Sequence, residues 1–226
     1  LMDDEGSINA DIGFSDILKF PERRPFPGIM GPFTFAPGME CYHGVVNISH
    51  TISGSMFVDG EETDFSGGEG YIEKDWGRSF PDAWTWMQAN HFEKPASFMF
   101  SLASIPWMGR HFPGLISFLL LDGKFMLFAT YNFARTRHVR VGETSLEAAV
   151  TKGRLLLELE ASYDKAGELA APKNGMMTRV IKESITASVK VRLTDRSEGL
   201  VFEGTSGNAG LEICGDLAKY VKAERI

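Results

Sequence analysis

The chain has 226 residues, of which 43% are hydrophobic and 23% charged, as is typical of a globular protein with a sizeable core. Its formal net charge of −7 argues against the basic surface that a nucleic-acid partner needs, so no such partner is expected. No apolar run reaches the length of a membrane-spanning helix, and no secretory signal opens the sequence. We expect a cytoplasmic location, with room for transient contact with a membrane surface.

The first residues favour a linker. Residues 1–38 lack a sustained hydrophobic period and contain five prolines, so we predict a loop or linker that crosses a surface. Within it, Phe14, Ile17 and Leu18 predict one helical turn. Leu1 is not an initiator, and the acidic, Gly/Pro-rich opening predicts that upstream residues are missing. Cys41 and Cys214 fit either one disulfide or two free thiols, the second being the more common case in a reducing compartment.

From Cys41 onward the pattern is that of short strands. Asp59-Gly60 and Asp122-Gly123 are strong hairpin signals between alternating segments. Residues 106–114 predict a loop, and residues 144–150 fit helix or strand equally. Strands are predicted at 41–56, 57–65, 70–76, 84–92, 97–105, 115–121, 124–133, 154–163, 184–193, 200–204 and 211–214, followed by a short helix at 217–223. This spacing predicts an all-β fold, either a sandwich or a barrel.

The segment from Gly70 to Phe92 concentrates the residues that carry chemistry. Its second half has strand periodicity, which places indoles and amides together on one face. Buried indole and amide groups need hydrogen-bond partners, so this face suits the wall of a pocket for an apolar ligand with a polar head. The alternative is that the tryptophans simply fill a core. The face consists of Trp84, Trp86, Gln88, Asn90 and Phe92.

The first half of the segment carries two carboxylates. Tyr71, Glu73 and Asp75 share one face of a predicted strand. If that face is interior, burial and like charge raise one carboxyl pKa and create a proton donor at neutral pH. The alternative is that Glu73 pairs with Lys74, or Asp75 with Arg78, as rim ions of little energetic value. Both interpretations stay open.

Other catalytic motifs are missing from the sequence. The five histidines, at positions 43, 50, 91, 111 and 138, show no metal-binding spacing, so no metal is expected. No Gly-x-Ser-x-Gly elbow occurs. The glycines at positions 67, 68 and 70 precede a strand rather than a helix, which predicts a bulged turn and not a phosphate site.

One motif carries a family resemblance. The run Glu73-Lys-Asp-Trp-Gly-Arg-Ser-Phe-Pro81, followed by the alternating Trp84-to-Phe92 pattern, resembles the tocopherol cyclase family and its bacterial relatives. Weaker similarity extends through 171–183 and 202–215, so the likeness covers about residues 27–216.

The resemblance implies a lipocalin-like architecture with two antiparallel barrel or sandwich units in a longer chain, similar in broad terms to carotenoid hydratases and some pericyclase-type proteins. The first unit is then incomplete here. Residues 1–92 would hold its remainder, a linker and the motif strands, and residues 93–226 would form the second unit. The family's activity closes a chroman ring on a prenylated hydroquinone, and needs no metal or organic cofactor.

Ring closure requires an acid that protonates a trisubstituted alkene, a pocket poor in water, and a phenol oxygen close to the cationic carbon. We predict Asp75 or Glu73 as the acid, with Lys74 or Arg78 tuning it or holding the quinol oxygen. Trp76, Trp84 and Trp86 would face the cation, and Gln88 and Asn90 would anchor the head group. The predicted substrate-binding set is completed by Tyr71, Phe92 and Trp107.

Two other functions remain open. The protein could be a non-catalytic carrier of an isoprenoid or other lipid, or a hydratase in which water replaces the phenol. A carrier needs only an apolar cavity, whereas an enzyme needs a carboxyl group inside it. The direction in which Asp75 and Glu73 point separates these functions. The sequence predicts an apolar small-molecule partner and gives no oligomeric state.

Overall fold

The computed structural model describes residues 2–3, 6–22, 25–107, 109–221 and 224–225. Nearly all regular structure in these ranges is β, which confirms the predicted all-β class. Short 3-10 helices occur at Gly31–Phe35, Thr130–Asn132 and Leu217–Lys219. The strands are β1 (Met2–Asp3), β2 (Gly6–Lys19), β3 (Cys41–Val58), β4 (Glu61–Asp64), β5 (Gly68–Gly77), β6 (Trp84–Ala89), β7 (Ala96–Trp107), β8 (Arg110–Leu121), β9 (Lys124–Ala129), β10 (Arg135–Val141), β11 (Ser145–Lys152), β12 (Leu155–Ser162), β13 (Gly167–Lys173), β14 (Met176–Asp195), β15 (Gly199–Cys214) and β16 (Glu224–Arg225).

These strands form two sheets. The first has the order β1-β2-β3-β4, and β5 also pairs with β3. The second has the order β16-β10-β11-β12-β14-β15-β6-β7-β8-β9, and β13 also pairs with β14. Neighbouring strands are antiparallel, apart from the short parallel pair of β10 and β16. The first sheet ends at Gly77 and the second begins at Trp84, while the division into two units at residue 92 stays a prediction.

The second sheet folds over on itself around the main core. Leu119 and Phe128, near one end of the strand order, belong to the same buried cluster as Leu146 and Val150, near the other end. Alternation of buried with more exposed residues from Ala187 to Asp195 of β14 produces this one-sided burial. The apolar face of the sheet is therefore enclosed, and the polar face meets solvent.

A second cluster joins the two sheets. Val45 and Ile48 of β3 pack with Met99 of β7 and Phe118 of β8. The hydroxyl of Ser97 donates to the carbonyl of Ile48 at 2.8 Å and links the sheets by a buried hydrogen bond. This contact brings β5 of the first sheet close to β6 of the second, and the candidate site lies there.

The local turn signals predicted the hairpins correctly. Asp59 and Gly60 have φ angles of 51° and 87°, and Asp122 and Gly123 have 49° and 72°. Positive φ at both central residues is the conformation that a two-residue hairpin favours. Of the undecided segment 144–150, residues 145–150 are in strand β11. Cys41 and Cys214 are free thiols.

The prediction of a loop at residues 1–38 is wrong for its first half. Residues Gly6–Lys19 form β2, which pairs with β3 over most of its length. The predicted helical turn at Phe14, Ile17 and Leu18 is also wrong, since these residues lie in that strand. The register shifts between Ser15 and Leu18, and this irregularity breaks the period that would have indicated a strand. The strand depends on a distant partner rather than on its own pattern.

Several element boundaries differ from prediction. The strand predicted at 124–133 ends at Ala129, the one predicted at 184–193 is the longer β14, and those predicted at 200–204 and 211–214 are both part of β15. Most of the predicted loop 106–114 belongs to β7 and β8. Pro113 is compatible with β8 because it lies outside the part of this strand that pairs with β9, so its missing N–H removes no hydrogen bond between these strands. The strand that begins at Trp84 ends at Ala89 rather than residue 92. At the C-terminus the helix covers only Leu217–Lys219, and residues 222 and 223 of the predicted helix lie outside the described residues. No helix in the described ranges is long and apolar enough to cross a membrane.

Candidate functional site

A pocket lies between the two sheets and has a volume of about 840 Å³, including the space open to solvent at its mouth. Its apolar walls include Met30, Phe33, Phe80, Ile105, Phe112 and Leu115. Its polar groups are mainly His43, Glu73, Asp75 and Glu212. An apolar cavity with a few convergent polar groups is the usual form of a small-molecule site.

Strands β3 and β5 build the polar wall on the first sheet. His43 and Asp75 are cross-strand partners, and Glu73 precedes Asp75 on the same face of β5. Nδ1 of His43 lies 2.8 Å from Oδ1 of Asp75, and Nε2 lies 3.3 Å from Oε2 of Glu73. We call His43, Glu73 and Asp75 the carboxylate–histidine cluster. One imidazole thus connects two carboxyl groups at the pocket surface.

The charge of the cluster follows from its geometry. Burial alone would lower the pKa of His43, but hydrogen bonds to Asp75 and Glu73 and their negative charges raise it to about 10. At neutral pH the ring is therefore a cation between two carboxyl groups. The side chain of His43 is 12% exposed, against 18% for Glu73 and 29% for Asp75, so the carboxyl groups are the more accessible members.

Tyr71 supports the cluster from behind. Its hydroxyl donates to Oε2 of Glu73 at 2.5 Å. Burial, together with the neighbouring Glu73 and Asp75, raises the pKa of Tyr71, so the phenol keeps its proton.

The same three side chains have the donor types of a metal site. Ligand atoms of His43, Glu73 and Asp75 all lie within 4.8 Å of one another. Metal binding would require His43 to lose its proton, because an imidazolium has no lone pair to offer. The raised pKa of His43 opposes that loss, so the residues fit a cationic histidine better than a metal ion.

Strand β6 places two indoles on the pocket face. Trp84 and Trp86 are two residues apart and project to the same side of the sheet. The N–H of Trp86 donates to Oε2 of Glu73 at 3.2 Å, and the N–H of Trp84 donates to Oε2 of Glu212 at 2.5 Å. Each indole is therefore both a wall of the pocket and a hydrogen-bond donor to one of its carboxyl groups.

Arg179 fixes the position of Trp84. Its guanidinium carbon lies 4.7 Å from the centroid of the Trp84 ring. The same group donates to the carbonyls of Pro81 and Asp82 at 2.6 and 2.9 Å. Phe80 packs edge-on against Trp84 with ring centroids 5.5 Å apart. Trp84 is thus held from two sides, and its N–H stays directed at Glu212.

Glu212 differs from the carboxyl groups of the cluster. Burial raises its pKa to about 7; the N–H of Trp84 lowers the pKa, and the charges of Glu183, Asp75 and Glu73 raise it. Glu183 is its cross-strand partner on β14. A substantial fraction of Glu212 therefore keeps its proton at neutral pH.

The predicted site residues separate into two groups. Glu73, Asp75, Trp84 and Trp86 line the pocket, and Tyr71 contacts Glu73 from outside the lining. Both candidate acids therefore face the cavity. The remaining predicted residues do not line this pocket: they are Lys74, Trp76, Arg78, Gln88, Asn90, Phe92 and Trp107.

Several of these residues have clear structural surroundings. Trp76 is 47% exposed and stacks on Tyr42 at 5.6 Å, with the Lys74 ammonium 5.0 Å from its ring centroid. Arg78 is exposed. Trp107 is 40% exposed and contacts Phe112, which does line the pocket.

The last residues of the predicted Trp84-to-Phe92 face do not lie on the pocket wall, because the strand is shorter than predicted. Because β6 ends at Ala89, the alternation does not continue to Asn90 and Phe92. The amide of Asn90 donates to the carbonyl of Glu69 at 3.1 Å, and Phe92 packs against Phe202. The buried amide nitrogen of Gln88 has no hydrogen-bond partner within the described ranges.

Two polar residues of the pocket were missed in the sequence analysis. His43 looks like an ordinary strand histidine until β3 is paired with β5. Glu212 lies within residues 202–215, whose family resemblance was a usable signal. Its proximity to Trp84 arises only from the pairing of β15 with β6, which no local sequence pattern indicates. The apolar residues Met30, Phe33 and Phe80 come from segments without a regular period.

Fold and site define an all-β protein with an apolar pocket that opens to solvent at its mouth and is lined by several carboxyl groups. The family model described as Tocopherol cyclase-like matches residues 31–215. The chain therefore belongs to the tocopherol cyclase-like family.

A solved structure shows the same fold. Kievitone hydratase from Nectria haematococca is similar with a TM-score of 0.51 and 11% identity, over 92% of this chain and 62% of that one. A putative AttH protein from Nitrosomonas europaea gives a TM-score of 0.48 and 16% identity, over 93% of this chain and 62% of that one. The chain thus spans about 62% of the length of these proteins. The lipocalin-like fold is confirmed. No match was found among curated protein sequences.

Proposed function

We propose that this protein closes a chroman ring on a prenylated hydroquinone by acid-catalysed addition of a phenol hydroxyl to an alkene. One observation carries the proposal. The carboxyl groups of Glu73, Asp75 and Glu212 line a pocket whose walls are indoles and aliphatic side chains. A lipid carrier has no use for carboxyl groups there, because burying them is costly. An enzyme that protonates an alkene needs one.

The reaction has two proton transfers. An acid gives a proton to the alkene, and the electron pair of the double bond forms the new C–H bond. The resulting tertiary cation lies against the faces of Trp84 and Trp86, whose attraction is worth on the order of 1–2 kcal/mol per ring when water is excluded. The phenol oxygen then forms the C–O bond and its proton passes to a base. Substrate and product are isomers.

The side chains present supply both an acid and a base. The carboxylate–histidine cluster lies on the first sheet and Glu212 lies on the second. Asp75 or Glu73 as the acid, with tuning by Lys74 or Arg78, remains a prediction. The isoprenoid tail would lie along Phe33 and Phe112, where the walls are apolar. We also propose that the protein works in the cytoplasm and contacts a membrane surface transiently when it takes up its substrate.

A hydratase is the second candidate. The pocket opens to solvent at its mouth, so water could reach the cation in place of the phenol. A protein of the same fold is named as a hydratase, although at 11% identity that likeness concerns the fold alone. The two reactions share the protonation step and differ only in the nucleophile.

The test is turnover of a prenylated hydroquinone by the purified full-length protein under reducing conditions. A product of unchanged mass with the chromatographic behaviour of the chromanol supports the cyclase, and a product heavier by one water supports the hydratase. Asp75→Asn should lose most of the activity, and Glu62→Gln on the exposed strand β4 should keep it. Tight binding without any product would contradict both enzymes and favour the carrier.

A further inference from the structure

We infer that Glu212 is the proton donor of this pocket, and that the carboxylate–histidine cluster on the opposite sheet accepts the proton of the attacking hydroxyl group. The inference rests on the proposed function and assigns its two proton transfers to different walls. It departs from the sequence-based expectation that Asp75 or Glu73 is the acid.

The geometry of Glu212 fits a donor. On the adjacent strand its backbone pairs with Trp86, and its side chain reaches the pocket beside Trp84. The indole N–H of Trp84 donates a hydrogen bond to Oε2 of Glu212, so the carboxyl proton is expected on Oε1. Within the described ranges Oε1 has no hydrogen-bond partner, which leaves it for a ligand. A single rigid donor to one oxygen thus orients the acid without neutralising it.

Burial and the charges around Glu212 favour its protonated form. Glu183 faces it from β14, and Glu73 and Asp75 face it from β5. The guanidinium of Arg179 lies over the ring of Trp84 and donates a hydrogen bond to Sγ of Cys214. In the described part of the chain no ion pair joins Arg179 to Glu212. Burial and these like charges raise the pKa of Glu212 to about 7 against the lowering effect of the Trp84 N–H. A general acid works best with a pKa near the working pH.

The cluster fits an acceptor. The carboxyl groups of Asp75 and Glu73 lie 2.8 Å and 3.3 Å from the two ring nitrogens of a cationic imidazole, which compensates a negative charge at this wall. A carboxylate at this position can take the proton of the attacking hydroxyl group as the oxygen bonds to the cation. The imidazolium itself, with a pKa of about 10, is a weak acid for an alkene.

The steps balance over one cycle. The proton on Glu212 moves to the alkene and leaves a carboxylate, while the double-bond electrons form the C–H bond. The hydroxyl oxygen forms the C–O bond and its proton moves to Asp75 or Glu73. Transfer of that proton back to Glu212 through water at the mouth restores the starting state. No oxidant, reductant or co-reactant is consumed.

The principal test is Glu212→Gln. Glutamine can still accept the Trp84 N–H but has no acidic proton, so turnover of the prenylated hydroquinone should fall at least ~100-fold with little change in binding affinity. Glu62→Gln is the matched control, because it removes a carboxyl group from the exposed strand β4, outside the pocket lining. This control should keep both the turnover and the pH profile of wild type.

A second measurement needs no substrate. Infrared difference spectra of the protein should show a carboxylic acid that titrates near pH 7, and this signal should be missing from Glu212→Gln. If the signal is still present in that variant, or if the variant turns over like wild type, the inference is overturned and the proposed function stands. If wild-type protein makes no product while the signal is present, the proposed function itself fails, and the inference with it.

Discussion

Trp84 donates its indole N–H to Oε2 of Glu212 at 2.5 Å, across the antiparallel pair of β6 and β15. Two residues later Trp86 repeats the contact with Glu73 of the other sheet, at 3.2 Å. A Trp-x-Trp sequence on one strand thus holds one carboxyl group on each wall of the pocket. The two carboxyl groups nevertheless differ, because Glu73 contacts the His43 cation and Glu212 has no such partner among the described residues.

Trp84→Phe tests this hydrogen bond. The N–H of Trp84 lowers the pKa of Glu212, so its removal should raise that pKa further above 7. The decline of activity at high pH, or the infrared titration of the acid, should therefore move to higher pH. Tyr163→Phe, which changes a buried ring outside the pocket, should leave the midpoint in place. A midpoint that stays near 7 in Trp84→Phe would show that the indole does not control Glu212.

Glu212→Gln should also change stability in a pH-dependent way. A carboxyl pKa raised from 4.5 to about 7 means that the folded state binds the proton more tightly than the unfolded state. This residue therefore destabilises the fold progressively as pH rises from about 4.5 to 7, by roughly 3 kcal/mol at most.

We expect Glu212→Gln to be more stable than wild type in denaturant unfolding at pH 8, and the gain to shrink at pH 5. A gain of equal size at both pH values would contradict the assigned titration.

His43→Gln should have the opposite effect. The pKa of His43 is raised from 6.5 to about 10, so its charged form stabilises the fold fully below pH 6.5, and that contribution is lost as pH rises to about 10. Removing one partner of a buried charged group costs about 3–5 kcal/mol. We expect unfolding measurements at pH 6.5 to show a large loss, and the difference from wild type to narrow above pH 10. A loss that does not depend on pH would indicate a packing role alone.

Much of the fold could be predicted because its signals are local. Asp59-Gly60 and Asp122-Gly123 specify their turns within two residues, and alternation specifies strands such as β12 and β14. The indoles of Trp84 and Trp86 and the carboxyl groups of Glu73 and Asp75 were found for the same reason, since they lie close together in sequence.

The rest depends on pairing between distant strands. His43 meets Asp75 only because β3 pairs with β5, and Glu212 meets Trp84 only because β15 pairs with β6. No pattern within one segment encodes such a register when both partners are irregular. The predicted face ran on to Phe92 because the end of β6 at Ala89 has no strong local signal.

Gly54→Ala tests the strand that the sequence did not predict. Gly54 has a φ of 101°, and a Cβ there would lie 2.0 Å from the carbonyl oxygen of Asp11 on β2. A backbone conformation that disfavours side chains and a clash with main chain that cannot move aside should together cost several kcal/mol, above the ~1 kcal/mol typical of point mutations.

Gly207→Ala is the control, because its Cβ would meet open space and its φ lies outside the left-handed region. Denaturant unfolding of both variants gives the comparison. If Gly54→Ala is as mild as Gly207→Ala, then β2 does not lie against β3 as described, and the first sheet would lose its longest strand pair. A large difference would instead make β2 part of the cooperative fold, and the sheet that carries His43, Glu73 and Asp75 would depend on it.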